Sequence, residues 1–197
     1  MHKPLFRISD IAPVEEKGIQ AELLEDADGT SESLFCKSSE TLERLFPSLK
    51  PNCTTHFVCP GKWAMHELLL HLLELTGPGR VFFTTWGISE HPVRLLIDAM
   101  AQGKILELHA ILDARVKMRT PQVFHLANEQ FSHVRLYDCH AKVVVIENET
   151  WSLAVVGSSN MTNNPRIEAG TLCTVPSIAQ FHKNWILEVI EKSHPFE

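Results

Sequence analysis

Between positions 140 and 168 the chain carries His140, Lys142, Ser158, Asn160 and Glu168, in that order. Read as a strand, the first two project side by side, because residues two apart share a face. Asn160 follows the hairpin partner of that strand, and a hairpin returns its far end to the same edge of the sheet. Such an edge holds a nucleophile or base, a fixed cation and neutral hydrogen-bond donors. The lysine supplies a point charge for an oxyanion. The Ser158 hydroxyl and the Asn160 carboxamide donate to further oxygens. Together they suit a tetrahedral oxyanion such as a phosphate. No nearby Asp pair or His cluster calls for a divalent ion, so the expected metal and cofactor content is none.

Other residues lend themselves to ligand contact. Arg115, Lys117 and Arg119 alternate in "ARVKMRT" after an apolar run. If the strand persists, they line one face and could follow a phosphate backbone; otherwise they are a solvated strand end. Arg166 is placed either to reach a ligand or to pair with a local acid. Trp86, ending "RVFFTTW", either stacks on a base or packs structurally. Cys53, His56, Cys59, His66 and His71 invite a zinc reading. The cysteines are too far apart for a zinc knuckle, however, and the histidine pair rides an apolar helix, which favours core residues. His91, His109, His125, His133 and His182 have no partner pattern.

The elements that must position these groups alternate. "SSETLERLFPSL" reads as a short helix capped by Ser38 or Ser39, and "KWAMHELLLHLLELT" as an amphipathic helix stopped by "GPG". "RVFFTTWGI" reads as a strand, "SEHPVRLLIDAMAQG" as a helix with Ser89 as N-cap, and "ILELHAILDARV" as a strand. "TPQVFHLANEQFS" reads as a further helix. "HVRLYDCHAKVVVIE" reads as one long strand, turning at "NET" into "WSLAVVGSS". "IEAGTLCTV" and a C-terminal helix from Pro176 complete the pattern. Strands between helices, several of them continuously apolar, predict an α/β fold with a mixed central sheet sandwiched between helices.

The 197 residues suffice for one domain with an appended segment, and 44% hydrophobic with 21% charged residues is an ordinary globular composition. The net charge is −6; residues 1–50 hold 6 basic and 10 acidic side chains, the remainder 12 and 14. The expected division is an acidic N-terminal segment, 1–50, and a catalytic domain, 51–197. Five scattered cysteines without a CxxC pair, no signal-peptide pattern and no apolar run able to span a bilayer predict a cytoplasmic protein without a membrane partner.

The stretch from about 139 to 170 resembles the phospholipase D superfamily, whose pattern is His-x-Lys, four residues, Asp, then Gly-Ser-x-Asn. Here it reads His140-Ala-Lys142 and Gly157-Ser158-Ser159-Asn160, with Glu147 where the family has Asp and Glu168 where a downstream Glu often stands. Most members carry two such motifs and this chain carries one, which is similar to the small single-motif bacterial nucleases that act as homodimers. The resemblance implies a phospholipase D-like half-fold completed by a second copy. It also implies a metal-independent phosphodiesterase, an endonuclease acting through a phosphohistidine intermediate on His140. Lys142 and Asn160 then stabilise the non-bridging oxygens, Glu168 orients a histidine, and Ser158 supports it. Nucleic acid is the implied partner, DNA ahead of RNA. The alternatives on the same fold are a phospholipid hydrolase or phosphatidyl transferase and a non-catalytic nucleic-acid-binding protein.

Overall fold

The computed structural model describes residues 30–35, 42–163 and 165–192. The caps Ser38 and Ser39, Cys36 and residues 1–29 lie outside the described residues. Eight strands form one sheet: β1 (Thr30–Phe35), β2 (Cys53–Pro60), β3 (Gly79–Thr85), β4 (Ile105–Asp113), β5 (His133–Tyr137), β6 (Val143–Glu147), β7 (Ser152–Gly157) and β8 (Ile167–Cys173). Their order across the sheet is β1-β2-β8-β7-β6-β3-β4-β5. β3, β4 and β5 run parallel; β6, β7, β8 and β2 follow antiparallel, and β1 pairs with β2 in parallel. The helices are α1 (Leu42–Leu45), α2 (Met65–Thr76), α3 (Glu90–Ala101), α4 (Val116–Arg119), α5 (Pro121–Gln130) and α6 (Pro176–Lys192).

The apolar stripe of α2 buries Leu68, Leu69, Leu72 and Leu73. With Val93 and Leu96 of α3 and Val123 and Ala127 of α5, it covers one sheet face together with Val81, Phe83, Leu108, Val144 and Val155. The opposite face packs Phe82, Ile111, Val143, Val145 and Ala154 under Ala179, Ile186 and Ile190 of α6. The central strands are buried on both faces, which is why β6 reads VVVI without alternation. Helices on both faces of a mixed sheet are the architecture expected from the sequence. Within the segment read as peripheral, residues 30–35 add the strand beyond β2, and Phe46 packs edge-on against Phe57 and Trp63.

Two local readings are corrected. "HVRLYDCHAKVVVIE" is not one strand. The chain leaves β5 at Tyr137, crosses the end of the sheet through residues 138–142, and re-enters as β6 beside β3, with β3 and β4 lying between β5 and β6. The crossing contains no Gly or Pro to announce it. β2 lies where the sequence suggested only scattered Cys and His. Its burial alternates, with Cys53, Phe57 and Cys59 buried inward and His56 exposed. Met65, His66 and His71 lie on the buried side of α2, and His71 Nε2 bonds the Phe46 carbonyl at 2.8 Å. Among the described residues no three His, Cys, Asp or Glu side chains come together as a metal site.

Candidate active site at one end of the sheet

Strand direction gathers the candidate residues. Because β6 and β8 run against β3, β4 and β7, the starts of the first two and the ends of the last three lie at one end of the sheet. That end therefore receives Trp86 after β3, Arg115 and Arg119 after β4, His140 and Lys142 before β6, Ser158 and Asn160 after β7, and Glu168 in β8. The carboxyl ends of parallel strands are the usual place for ligands in open α/β sheets.

His140 is exposed while Lys142 is 8% exposed. The Lys142 ammonium donates to the His140 carbonyl at 2.7 Å and lies 3.2 and 3.3 Å from Nδ1 and Nε2 of the ring. Near-equal approach to both nitrogens puts the ammonium over the imidazole face, off the in-plane lone pairs, so either nitrogen stays available as a nucleophile. Burial pushes the Lys142 ammonium below its usual value, and the charges of Cys139, Glu168 and Asp113 oppose that shift. The register that fixes this pair is a hydrogen bond from the Gly157 N–H to the Lys142 carbonyl, 3.1 Å.

Asn160 follows on the neighbouring strand. Met161 bridges to Ile88, and its N–H bonds Gly87 O at 3.1 Å, which ties this loop to the end of β3. Thr85, 1% exposed, donates to Gly87 O at 2.7 Å and approaches Asn160 Oδ1 at 3.4 Å. With Oδ1 facing Thr85, the Nδ2 donor is the end of the carboxamide left for a ligand. Thr85 is a supporting residue that sequence reasoning missed; its place at the end of a β-branched strand beside Trp86 was the available signal.

Glu168 accepts the Ser158 hydroxyl hydrogen bond, and the Ala169 N–H returns a bond to Ser158 Oγ at 3.1 Å. Among the described residues Glu168 receives no hydrogen bond from the His140 ring. Its charge acts on Lys142. Glu147 stands apart: at the far end of β6, about 16 Å of strand from Lys142 at ~3.3 Å per residue, it pairs with Arg80 and Lys183, each at 2.6 Å. Arg166 is exposed on the turn before β8.

The basic triplet does not extend β4. Residues 116–119 turn into α4, so alternation no longer applies. Helical spacing brings Arg115 and Arg119 onto one side and turns Lys117 elsewhere. Both arginines meet Trp86, with guanidinium carbons 5.6 and 4.4 Å from its ring centroid. Trp86 in turn lies 5.8 Å, centroid to centroid, from His140. Arg115 also grips Asp113 through two bonds of 2.6 and 2.9 Å. Asp113 is fully buried and accepts the Cys139 N–H, one residue before His140. The Arg115 guanidinium holds the Asp113 carboxyl below the usual carboxylate range.

No family model matches the chain, and no curated protein matches its sequence. Solved structures do. Nuc, a phospholipase D family member from Salmonella typhimurium, superposes with a TM-score of 0.56 at 14% identity, over 73% of this chain and 97% of its own. NucT from Helicobacter pylori gives 0.54 at 15% identity, over 73% and 98%. A polyphosphate kinase from Porphyromonas gingivalis gives 0.54 at 12% identity, over 73% of this chain and 27% of its own. The likeness spans nearly all of the first two proteins and 73% of this chain, which therefore shares the phospholipase D-like fold.

Proposed function

We propose that this chain is a metal-independent phosphodiesterase that cleaves nucleic acid, DNA in the first instance, at a site completed by a second copy of itself. The observation that carries the reading is the placement of His140, Lys142 and Asn160 at one end of the sheet, with Ser158 and Glu168 beside them, on a fold shared with Nuc. Each chain brings one such histidine, and two-step displacement at phosphorus needs two.

In the first step a nitrogen of one His140 attacks phosphorus and forms the P–N bond as the P–O bond to the leaving oxygen breaks. His140 of the partner subunit gives that oxygen a proton. In the second step the partner's His140, now neutral, takes a proton from water. The hydroxide attacks phosphorus, the P–N bond breaks, and free His140 and the product phosphate monoester are released. Lys142 and the Asn160 Nδ2 donor hold the non-bridging oxygens in both steps. Glu168, held by Ser158, supplies negative charge beside the Lys142–His140 pair and keeps the cation in place.

Incubation of the purified chain with single- and double-stranded DNA and RNA in EDTA tests the activity, and an acid quench during turnover tests the intermediate. Cleavage with His140 phosphorylated, abolished by His140→Ala, is the expected result. Cleavage that requires Mg²⁺ or survives His140→Ala refutes the mechanism. Release of a headgroup from phosphatidylcholine vesicles without nucleic-acid cleavage would move the substrate to phospholipid. Light scattering checks the second copy: a strict monomer in the active enzyme refutes the two-histidine site.

A further inference from the structure

Two arginines reach the same indole, and they differ in what else holds them. Arg115 is bound bidentate to the buried Asp113 carboxylate, its own N–H reaches Asp113 Oδ1 at 3.1 Å, and Asp138 lies 3.7 Å away. Its charge is spent on the turn that precedes His140. Arg119 is exposed, its guanidinium carbon sits 4.4 Å from the Trp86 ring centroid, and it has no ion pair among the described residues. A guanidinium held over an aromatic ring without an acidic partner keeps N–H donors for a ligand, and its planar fork suits two oxygens of one phosphate.

The position of that cation matters as much as its freedom. Trp86 spans the gap between Arg119 and His140, so the guanidinium and the imidazole are no farther apart than the two ring distances of 4.4 and 5.8 Å combined. With a rise of ~3.4 Å per nucleotide of a strand, that reach covers phosphates on the same strand as the one under attack. The indole is half-buried, and an arginine already occupies a face, so Trp86 serves as a seat for the cation in place of a platform for a base.

We propose that Arg119, seated on Trp86, binds a phosphate flanking the scissile one, and that this contact makes a polymeric strand the preferred substrate of the His140 site. The proposal rests on the phosphodiesterase reading above and sharpens its substrate class. An isolated diester, or a phospholipid with one phosphate, has nothing to offer Arg119. Arg115, by contrast, is a positioning residue that acts through Asp113 and the Cys139 N–H on the His140 turn.

Binding without cleavage separates the two ideas. The probe is a fluorescently labelled single-stranded 12-mer, titrated by anisotropy over a salt series into full-length His140→Ala protein with and without Arg119→Gln. Loss of Arg119 should weaken binding roughly tenfold at low salt and reduce the slope of log affinity against log salt by about 0.7, the value for one phosphate contact on a single strand. Arg119→Lys should recover the slope while recovering only part of the affinity. A dinucleoside monophosphate, which has no flanking phosphate, should bind the two proteins alike. Equal affinity and slope with and without Arg119 overturns the flanking-phosphate site and leaves the phosphodiesterase reading standing. Absence of any oligonucleotide binding to His140→Ala also overturns it, and cleavage by the unaltered chain then decides the broader reading by itself.

Discussion

Asp113 offers the sharpest test of how the site is held. Its carboxylate is fully buried at the end of β4, takes two side-chain bonds and one backbone bond from Arg115, and accepts the Cys139 N–H. Hydrogen bonds to a charged group each contribute about 1.5–3 kcal/mol, but these do not add. The Arg115 side chain is 45% exposed and can turn to water once its partner is gone. The Cys139 N–H cannot, since Cys139 is 9% exposed. Asp113→Ala should therefore cost about 2–3 kcal/mol, and Asp113→Asn, which keeps the shape and one acceptor, about 1–2 kcal/mol. At ~2–4 °C per kcal/mol for a chain of this size, the alanine variant should melt about 5–10 °C lower. Urea unfolding measures the same quantity as a lower midpoint with an unchanged slope. The pH dependence has a definite sign. The folded-state carboxyl titrates below its unfolded value, so the stabilisation is complete above the ordinary carboxylate range near ~4 and is lost as pH falls through the depressed folded value. The gap between the unaltered chain and Asp113→Asn should be constant from neutral pH down to about 5 and narrow below about 4. If both variants unfold within ~0.5 kcal/mol of the unaltered chain, the range of ordinary surface substitutions, then Asp113 does not anchor the His140 turn.

Three further outcomes follow from particular contacts. Lys142→Met removes a buried ammonium that burial already disfavours, so urea stability should stay within ~1 kcal/mol of the unaltered chain while phosphodiester cleavage falls by ~10²-fold or more; a loss above ~3 kcal/mol would make Lys142 a structural residue. Gly170→Ala should cost about 1–3 kcal/mol by thermal unfolding, because its Cβ would sit 2.5 Å from Phe57 Cζ, a ring wedged between Phe46 and Trp63; a neutral result would show that Phe57 can move. Glu147→Ala should cost about 1–2 kcal/mol by releasing Lys183 and Arg80 at the far end of β6 and should leave cleavage at the His140 site unchanged; a selective loss of cleavage would return Glu147 to the chemistry.

What the sequence determined by itself was local. The amphipathic period of α2 and the apolar hairpin of β6 and β7 were legible because each is written in neighbouring residues. The hairpin in turn delivers Asn160 to the same end of the sheet as His140 and Lys142, so this part of the site follows from local pattern alone. The crossing between β5 and β6 does not. "YDCHAK" carries no breaker, and which strand lies beside β6 is a long-range pairing with no local signature. Tertiary structure decided the rest for the same reason. Glu147 is tied to Arg80 and Lys183, 67 and 36 residues away. β2 finds its place through β8, more than a hundred residues later. The alternating basic triplet divides into a neutralised Arg115 and an exposed Arg119 only because the chain turns into α4 above a buried Asp113 and beneath Trp86 from another strand. Periodicity reports which side of its own element a residue faces; what waits on that side is set by strand order, and strand order is fixed by burial of the whole sheet.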